Sequence, residues 1–512
     1  MTGQLASARR TLMFGHLLLT GSLLASALVA SPIVIAAAPL GANKFDLLLQ
    51  YEGYSEFTDR SDAYRRVTQA MARKAILDAK DAGFAFLRVS VSGFGGSDPR
   101  SAQRDMLKLW QSDPATYWRR VDEMFDDIDK ANLQIVPTLL WNYTQFPALT
   151  GETTTDLIHN PSSASRALAT RYIQDFVTRY RARKTILFLE LTNEFNLHAG
   201  MDVHHHCVEK NPDPARCVSI GNFSQDDLNN FAHDMVGLLH RLDSAHPVSS
   251  GYAVPPPWAY HMAQRPEWNK PAGFVPDSRE DFDSNLATLH RDYDIVSIHI
   301  YPANAAARFT RPQGTQADLI ADAANVAHGM HKKLFVGEFG DTGGATPFMQ
   351  SVKALLDNNT VDYAAVWAWE FYQTSTFETL NTPPTQFNIE PGLRDDVIGL
   401  LHRAPLTPNS SPSLRVVLTW PLPCSHVGQP VQISAVAADG DRPVNNVEFQ
   451  VNGVAIGGVT TPPYRLIWDP AGKTAHTAQI KVIAHGQSKS TATDSADILL
   501  NGGNDACKVT VE

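Results

Sequence analysis

The stretch Thr185-Ile-Leu-Phe-Leu-Glu-Leu-Thr-Asn-Glu-Phe-Asn196 opens as an apolar run of buried-strand type and ends abruptly in the polar pair Asn193-Glu194. A carboxylate placed where a buried strand runs out sits at a rim. In an α/β barrel the catalytic groups come from the C-terminal ends of strands, so Glu194 reads as a catalytic group or as a polar cap on the strand. A second stretch, Lys332-Lys-Leu-Phe-Val-Gly-Glu-Phe-Gly340, repeats the design with Glu338. Two rim carboxylates suit an acid/base mechanism.

Working outward, strand-like and helix-like segments alternate. Phe45–Tyr51 reads as a first strand, followed by an amphipathic helix over Ala63–Ala82. Phe84–Val91 precedes a helix over Ala115–Ala131, and Leu133–Trp141 precedes one over Ser163–Arg183. The opening stretch is the fourth strand, and its helix runs from Gln225 to Ser244 with Ser224 as N-cap. Val248–Val254, Asp294–Tyr301, Lys333–Phe339 and Asp362–Trp369 complete a set of eight. Eight strands alternating with helices predict a closed (β/α)8 TIM barrel of the α/β class. A doubly wound open sheet is the alternative, but no Gly-rich phosphate loop follows the first strand.

The 512 residues exceed one ordinary core. Around Leu401 the character changes: Pro405, Pro408, Asn409-Ser-Ser411 and Pro412 make a linker. Beyond it, short β-type runs without helical period predict a small all-β sandwich. The expected division is 1–42 for an export signal or membrane anchor and linker, 43–403 for the barrel, 404–413 for the linker and 414–512 for the sandwich. Arg9-Arg10 before the apolar run Leu12–Leu24, with small residues Ala25-Ser26-Ala27 and Ala36-Ala37-Ala38, reads as a signal peptide or as an uncleaved anchor. Either way the working part is secreted, periplasmic or displayed at the cell surface. Export permits disulfides, and the four cysteines fall into two local pairs, Cys207 with Cys217 and Cys424 with Cys507.

A net charge of −10 argues against nucleic acid and suits a neutral substrate. At the predicted strand ends, polar and aromatic side chains collect: Arg88, Trp141, Asn142, Asn193, Glu194, His299, Tyr301, Glu338 and Trp369. Arg88 would neutralise Glu190 inside the barrel or support Glu338. Trp369 is expected to face the mouth and Trp367, at the same parity, to lie deeper as core. The run His204-His-His-Cys207 lacks the spacing of a metal site and reads as a loop stapled by its disulfide.

These motifs resemble glycoside hydrolase family five, the cellulase family of retaining barrels, over roughly residues 45–402. The resemblance rests on Leu191-Thr-Asn-Glu194, His299-Ile-Tyr301, Gly337-Glu-Phe-Gly340 and Trp367-Ala-Trp369, in that order. It implies Glu194 as general acid/base and Glu338 as nucleophile, with Asn193 on the sugar 2-hydroxyl, His299 and Tyr301 orienting the carboxylates, Arg88 supporting Glu338 and Trp369 flooring the sugar subsite. Members often carry a His before the Asn ending strand three, whereas this chain has Trp141-Asn142. No metal or cofactor is implied, and the expected partner of a monomeric enzyme is an oligo- or polysaccharide. Membrane association would come only through an uncleaved N-terminal anchor. The C-terminal sandwich resembles bacterial immunoglobulin-like modules, notably in Val447-Glu-Phe-Gln-Val-Asn-Gly453, and is expected to buttress the barrel. A glycolipid hydrolase and a non-catalytic carbohydrate-binding protein on an inactive barrel are the other readings.

Overall fold

The computed structural model describes residues 38–52, 62–93, 106–269, 274–304, 314–370, 387–389, 394–401 and most of 414–500. The predicted N-terminal signal, the linker at 404–413 and Cys507 lie outside these residues. Among the described residues no helix is long and apolar enough to cross a membrane.

Eight parallel strands close into one barrel: β1 (Leu40–Asn43), β2 (Phe86–Ser90), β3 (Gln134–Leu140), β4 (Leu189–Thr192), β5 (Val248–Ser249), β6 (Ile295–Ile300), β7 (Lys333–Phe339) and β8 (Tyr363–Val366). Closure comes from β1, which pairs with β2 through Gly41 and Phe86 and with β8 through Leu40 and Ala364. This corrects the expected first strand: Leu47–Tyr51 is a short helix, and the strand is the preceding Leu-Gly-Ala-Asn. Gly41 is required there, because a Cβ would come 2.4 Å from the ring of Phe86. The fifth strand is far shorter than expected, two residues rather than seven.

Helices over Asp62–Asp81, Pro114–Lys130, Ala164–Tyr180 and Gln225–Leu242 alternate with the first strands, as the 3.6-residue period predicts. Their starts follow local chemistry. Asp113, Ser163 and Ser224 each accept the backbone N–H three residues on, and Ser224 forms a full capping box with Asp227.

Inside the barrel the side chains form layers. Phe86, Val136, Phe188, Ile295, Phe335 and Ala365 fill the lower interior as a separate apolar cluster. Two residues further along β2 and β4, the same inward parity delivers Arg88 and Glu190, both fully buried. Alternation in β7 from Phe335 would make Gly337 the next inward residue and turn Glu338 outward. The register with β6 skips Gly337, pairing Val336 with Ile298 and Glu338 with His299, and this irregularity turns Glu338 inward.

After the barrel's last described helix, Asp395–Leu401, eight strands form two sheets. The five-stranded sheet has the order His426–Val427 (β10), Thr491–Leu500 (β16), Thr477–His485 (β15), Asn446–Val451 (β12) and Val454–Val459 (β13). The three-stranded sheet is Tyr464–Trp468 (β14), Val431–Ala438 (β11) and Arg415–Trp420 (β9). Alternate residues of β12 and β15 are buried, and Val447, Phe449, Ile480 and Val482 pack with Ile433, Tyr464 and Trp468 in a second core.

Candidate active site

The mouth of the barrel is built on Arg88. Its guanidinium is fully buried and surrounded by four acceptor side chains from three strand regions. Nε donates to Glu190 Oε1 at 2.7 Å, and Nη1 donates to Asn43 Oδ1 at 2.9 Å and to Glu338 Oε1 at 2.8 Å. Nη2 donates to Asn193 Oδ1 at 2.8 Å and lies 2.6 Å from the same Glu190 oxygen. Both sequence readings of Arg88 therefore hold geometrically: it neutralises Glu190 and it binds Glu338. Thr138 donates a further hydrogen bond to Glu190 at 2.7 Å. A fully buried cation with two carboxylate neighbours and good hydrogen bonds is the arrangement that makes charge burial tolerable.

Glu338 is buried, and its second oxygen accepts from the Tyr301 hydroxyl at 2.6 Å. Glu194 is half-buried and ends β4 in a left-handed turn, φ 57°, a conformation that costs a non-glycine residue about 1 kcal/mol. The turn is held by Gly251, whose carbonyl accepts the Glu194 N–H at 2.7 Å. Gly251 itself has φ 70°, and a Cβ there would lie 1.9 Å from the Thr192 carbonyl oxygen. Between the carboxylates stands the buried imidazole of His299, with Nδ1 3.1 Å from Glu194 and 3.4 Å from Glu338. Gly337 makes room for that ring, since a Cβ would lie 2.8 Å from His299 Nε2. One ligand atom from each of Glu194, His299 and Glu338 falls within 4.8 Å of the others. Such a trio is close enough to share a cation, yet Arg88 already brings a positive charge to 2.8 Å from Glu338.

Burial raises the proton affinity of both carboxyls, and their surroundings then differ. For Glu338 the burial effect, reinforced by the charge of Glu194, is opposed by His299, Arg88 and the Tyr301 hydrogen bond. For Glu194, burial is opposed by the charge of Arg88, through space. More groups stabilise the anion of Glu338 than that of Glu194, and burial holds both carboxyls above the ordinary carboxylate range. Burial pushes His299 down to about 4, so its ring is neutral near pH 7 and serves as a hydrogen-bonding spacer.

The aromatic residues require a correction. Trp369 is 0% exposed; its ring N–H donates to the Ala75 carbonyl at 2.9 Å and its ring meets Phe84 edge-on, so it belongs to the core between barrel and helix. Trp367 is half-buried and stacks on Phe45 at 4.6 Å. The parity argument failed because β8 ends at Val366, and strand alternation does not extend beyond it. Trp141 lies parallel to both rings, 8% exposed, with the Arg88 guanidinium 4.7 Å from its centroid. Asn142 Oδ1 accepts both the N–H and the hydroxyl of Thr144, which ties it into its own loop. Asn43, Phe45 and Trp367 are site residues that sequence reasoning missed. Asn43 donates to the carbonyls of Gly337 and Ala365 and so fastens β1 across the closure to β7 and β8.

Cys207 and Cys217 form the expected disulfide, with a Cα–Cα separation of 5.9 Å. Cys424 is also disulfide-bonded. The stapled loop after β4 is tied to the loop after β5 by His206 and Glu267, 2.8 Å apart, and by Asn196, which exchanges two hydrogen bonds with Ala253.

Residues 415–482 match the bacterial Ig domain family. No curated protein matches the sequence. Among solved structures, an endo-β-1,4-mannanase from Thermotoga petrophila is similar at 14% identity, covering 91% of this chain and 98% of its own, with a TM-score of 0.48. An endo-1,4-β-mannanase from Rhizomucor miehei is similar at 16% identity, covering 72% and 93%, with a TM-score of 0.46. A calcium-binding mutant of β-glucuronidase 2 from Bacteroides uniformis covers 91% and 45% at 11% identity, with a TM-score of 0.39. At these identities and scores the likenesses say nothing about what this chain acts on.

Proposed function

We propose that this chain is an exported retaining β-glycosidase of the glycoside hydrolase family five type, acting on a neutral β-linked glycan such as a cellulose-like glucan or a mannan. The observation that carries the reading is the carboxylate pair: Glu194 and Glu338 approach within 4.8 Å with His299 between them. Retaining enzymes hold their carboxyls about 5–5.5 Å apart, whereas inverting ones need about 6.5–9.5 Å to admit a water.

Glu194 protonates the glycosidic oxygen as the bond breaks, and Glu338 attacks the anomeric carbon to form a covalent glycosyl-enzyme. Glu194, now ionised, takes a proton from water, which displaces Glu338 and returns both groups to their starting states. Arg88 and Tyr301 stabilise the leaving Glu338 carboxylate in that second step. Asn193, its oxygen engaged by Arg88, turns its amide nitrogen away from the guanidinium for the 2-hydroxyl. Trp367 supplies the flat apolar floor for the sugar ring.

One observation favours a second reading, a glycolipid-type substrate. The exposed large apolar residues described in the barrel domain, Val208, Val218, Phe274 and Val275, all lie on the loops after β4 and β5, which begin beside Glu194. An apolar leaving group would find a surface there.

The test is hydrolysis of aryl β-glycosides, cellulose, mannan, mixed-linkage glucan and a β-glycosylated lipid, with the first-formed anomer read by NMR. Release of the β-anomer from any of them supports the mechanism and names the substrate. Release of the α-anomer, or binding of glycan without cleavage, overturns it.

A further inference from the structure

Trp141 stands where members of the family that the motifs resemble often carry a His. Arg88 has five N–H donors, and all lie on the in-plane edge of its guanidinium. Those edges are occupied by Glu190, Asn43, Glu338 and Asn193. Only the two faces are left. The indole of Trp141 lies against one of them, 4.7 Å from ring centroid to Cζ, and a guanidinium over an indole face is attracted by the ring quadrupole. The indole is itself fixed: Ser92 Oγ accepts its backbone N–H at 3.1 Å, and Phe45 is stacked parallel to it at 5.7 Å. Phe45 in turn stacks on Trp367. At 8% exposure the ring has little surface left for a ligand, and what it covers is the charge that binds the nucleophile.

We propose that Trp141 is a positioning residue that acts through Arg88 on Glu338, and that it makes no sugar contact. The indole face keeps the guanidinium in the plane of its four partners and keeps water off it. A cation held this way acts on Glu338 through a low-dielectric gap, where its effect is greatest. The groups facing Glu338 are Arg88 from β2, Glu194 from the end of β4, and His299 and Tyr301 from β6. Of these, Arg88 is the permanent cation. A ring with a π-face can replace Trp141, and an aliphatic chain of similar bulk cannot.

This inference rests on the glycosidase reading for its kinetic test and is independent of it for its spectroscopic one. Trp141→Phe and Trp141→Leu are compared with wild type on the aryl β-glycoside that the substrate panel identifies. In Trp141→Leu the loosened Arg88 lets Glu338 keep its proton to higher pH. The acid limb of kcat/KM then moves up by about 0.5–1 pH unit and kcat falls, with KM unchanged. Trp141→Phe restores the limb. A rise in KM with an unmoved limb identifies a sugar contact and overturns the proposal, as does a drop in Tm with an unmoved limb. The second measurement needs no substrate: exchange of the Arg88 Nε–H with solvent, followed by NMR. It should be slow in wild type and in Trp141→Phe and fast in Trp141→Leu, and equal exchange in all three overturns the proposal. If the Leu variant does not fold, Trp141→Met takes its place in both measurements.

Discussion

The lower and upper halves of the barrel interior are built on opposite principles. Below, Phe86, Phe188 and Phe335 pack with Val136, Ile295 and Ala365 in an all-apolar cluster. Above, within two residues along β2 and β4, stand a buried guanidinium and a buried carboxylate, with the Glu194, Glu338 and His299 trio at the mouth. The upper half also holds polar atoms without a hydrogen-bond partner in the described structure: Glu190 Oε2, Ser297 Oγ and His299 Nε2. Such groups weaken a fold, because each forgoes its hydration with nothing in return. The contrast teaches that the lower layer holds the barrel together so that the upper one can keep charges in a dry place where chemistry needs them.

Separating the two layers by mutation is the strongest way to break that comparison. Phe188 packs edge-on against Phe335 at 5.1 Å and beside Tyr363. Phe188→Ala is expected to lower stability by about 3–5 kcal/mol, the usual cost of emptying a buried aromatic site, while the folded fraction keeps its activity. Denaturant unfolding alongside active-site titration measures both. Activity lost in proportion to stability would mean that the layers are one unit.

A smaller effect, of the opposite sign, is expected above. Burial raises the proton affinity of Glu194 in the folded protein, so ionising it opposes folding. Its contribution is favourable below the ordinary carboxylate range and is lost as pH rises through the raised folded value. Glu194→Gln should therefore raise Tm near neutral pH and leave it unchanged at low pH, where the native carboxyl is protonated. Scanning calorimetry across that range checks it. A lower Tm at neutral pH would show that Glu194 stabilises the mouth and would erase the contrast between the layers.

Most of the barrel strands and most of the polar rim were legible in the sequence, for a physical reason. A buried strand is an apolar run, and an Asn-Glu or Gly-Glu pair that interrupts it marks the rim, so Glu194, His299, Tyr301 and Glu338 were placed by pattern. Where the strand was short the pattern failed. β1 is Leu-Gly-Ala-Asn, with no β-branched residue, while the neighbouring Leu47-Leu-Leu-Gln-Tyr51 is more apolar and folds as a helix. Asn43 was hidden with β1, because its role depends on barrel closure, a contact some 290 residues away in sequence. Trp367 and Trp369 were exchanged because parity was extended past the end of β8. The inward turn of Glu338 depends on a register shift at Gly337 that alternation does not foretell. In the sandwich, β12 and β13 are joined at Asn452-Gly453, both at positive φ, which is a strong hairpin signal in the sequence.

The roles assigned to the two carboxylates are tested most directly by azide rescue of Glu338→Ala and Glu194→Ala on an activated aryl β-glycoside. Azide can stand in for the missing nucleophile in one variant and attack the covalent intermediate in the other. The predicted products are the α-glycosyl azide from Glu338→Ala, formed by one inversion, and the β-glycosyl azide from Glu194→Ala, formed by two. The reverse assignment of products, or a Glu338→Ala variant that hydrolyses the glycoside as well as wild type, would contradict the account.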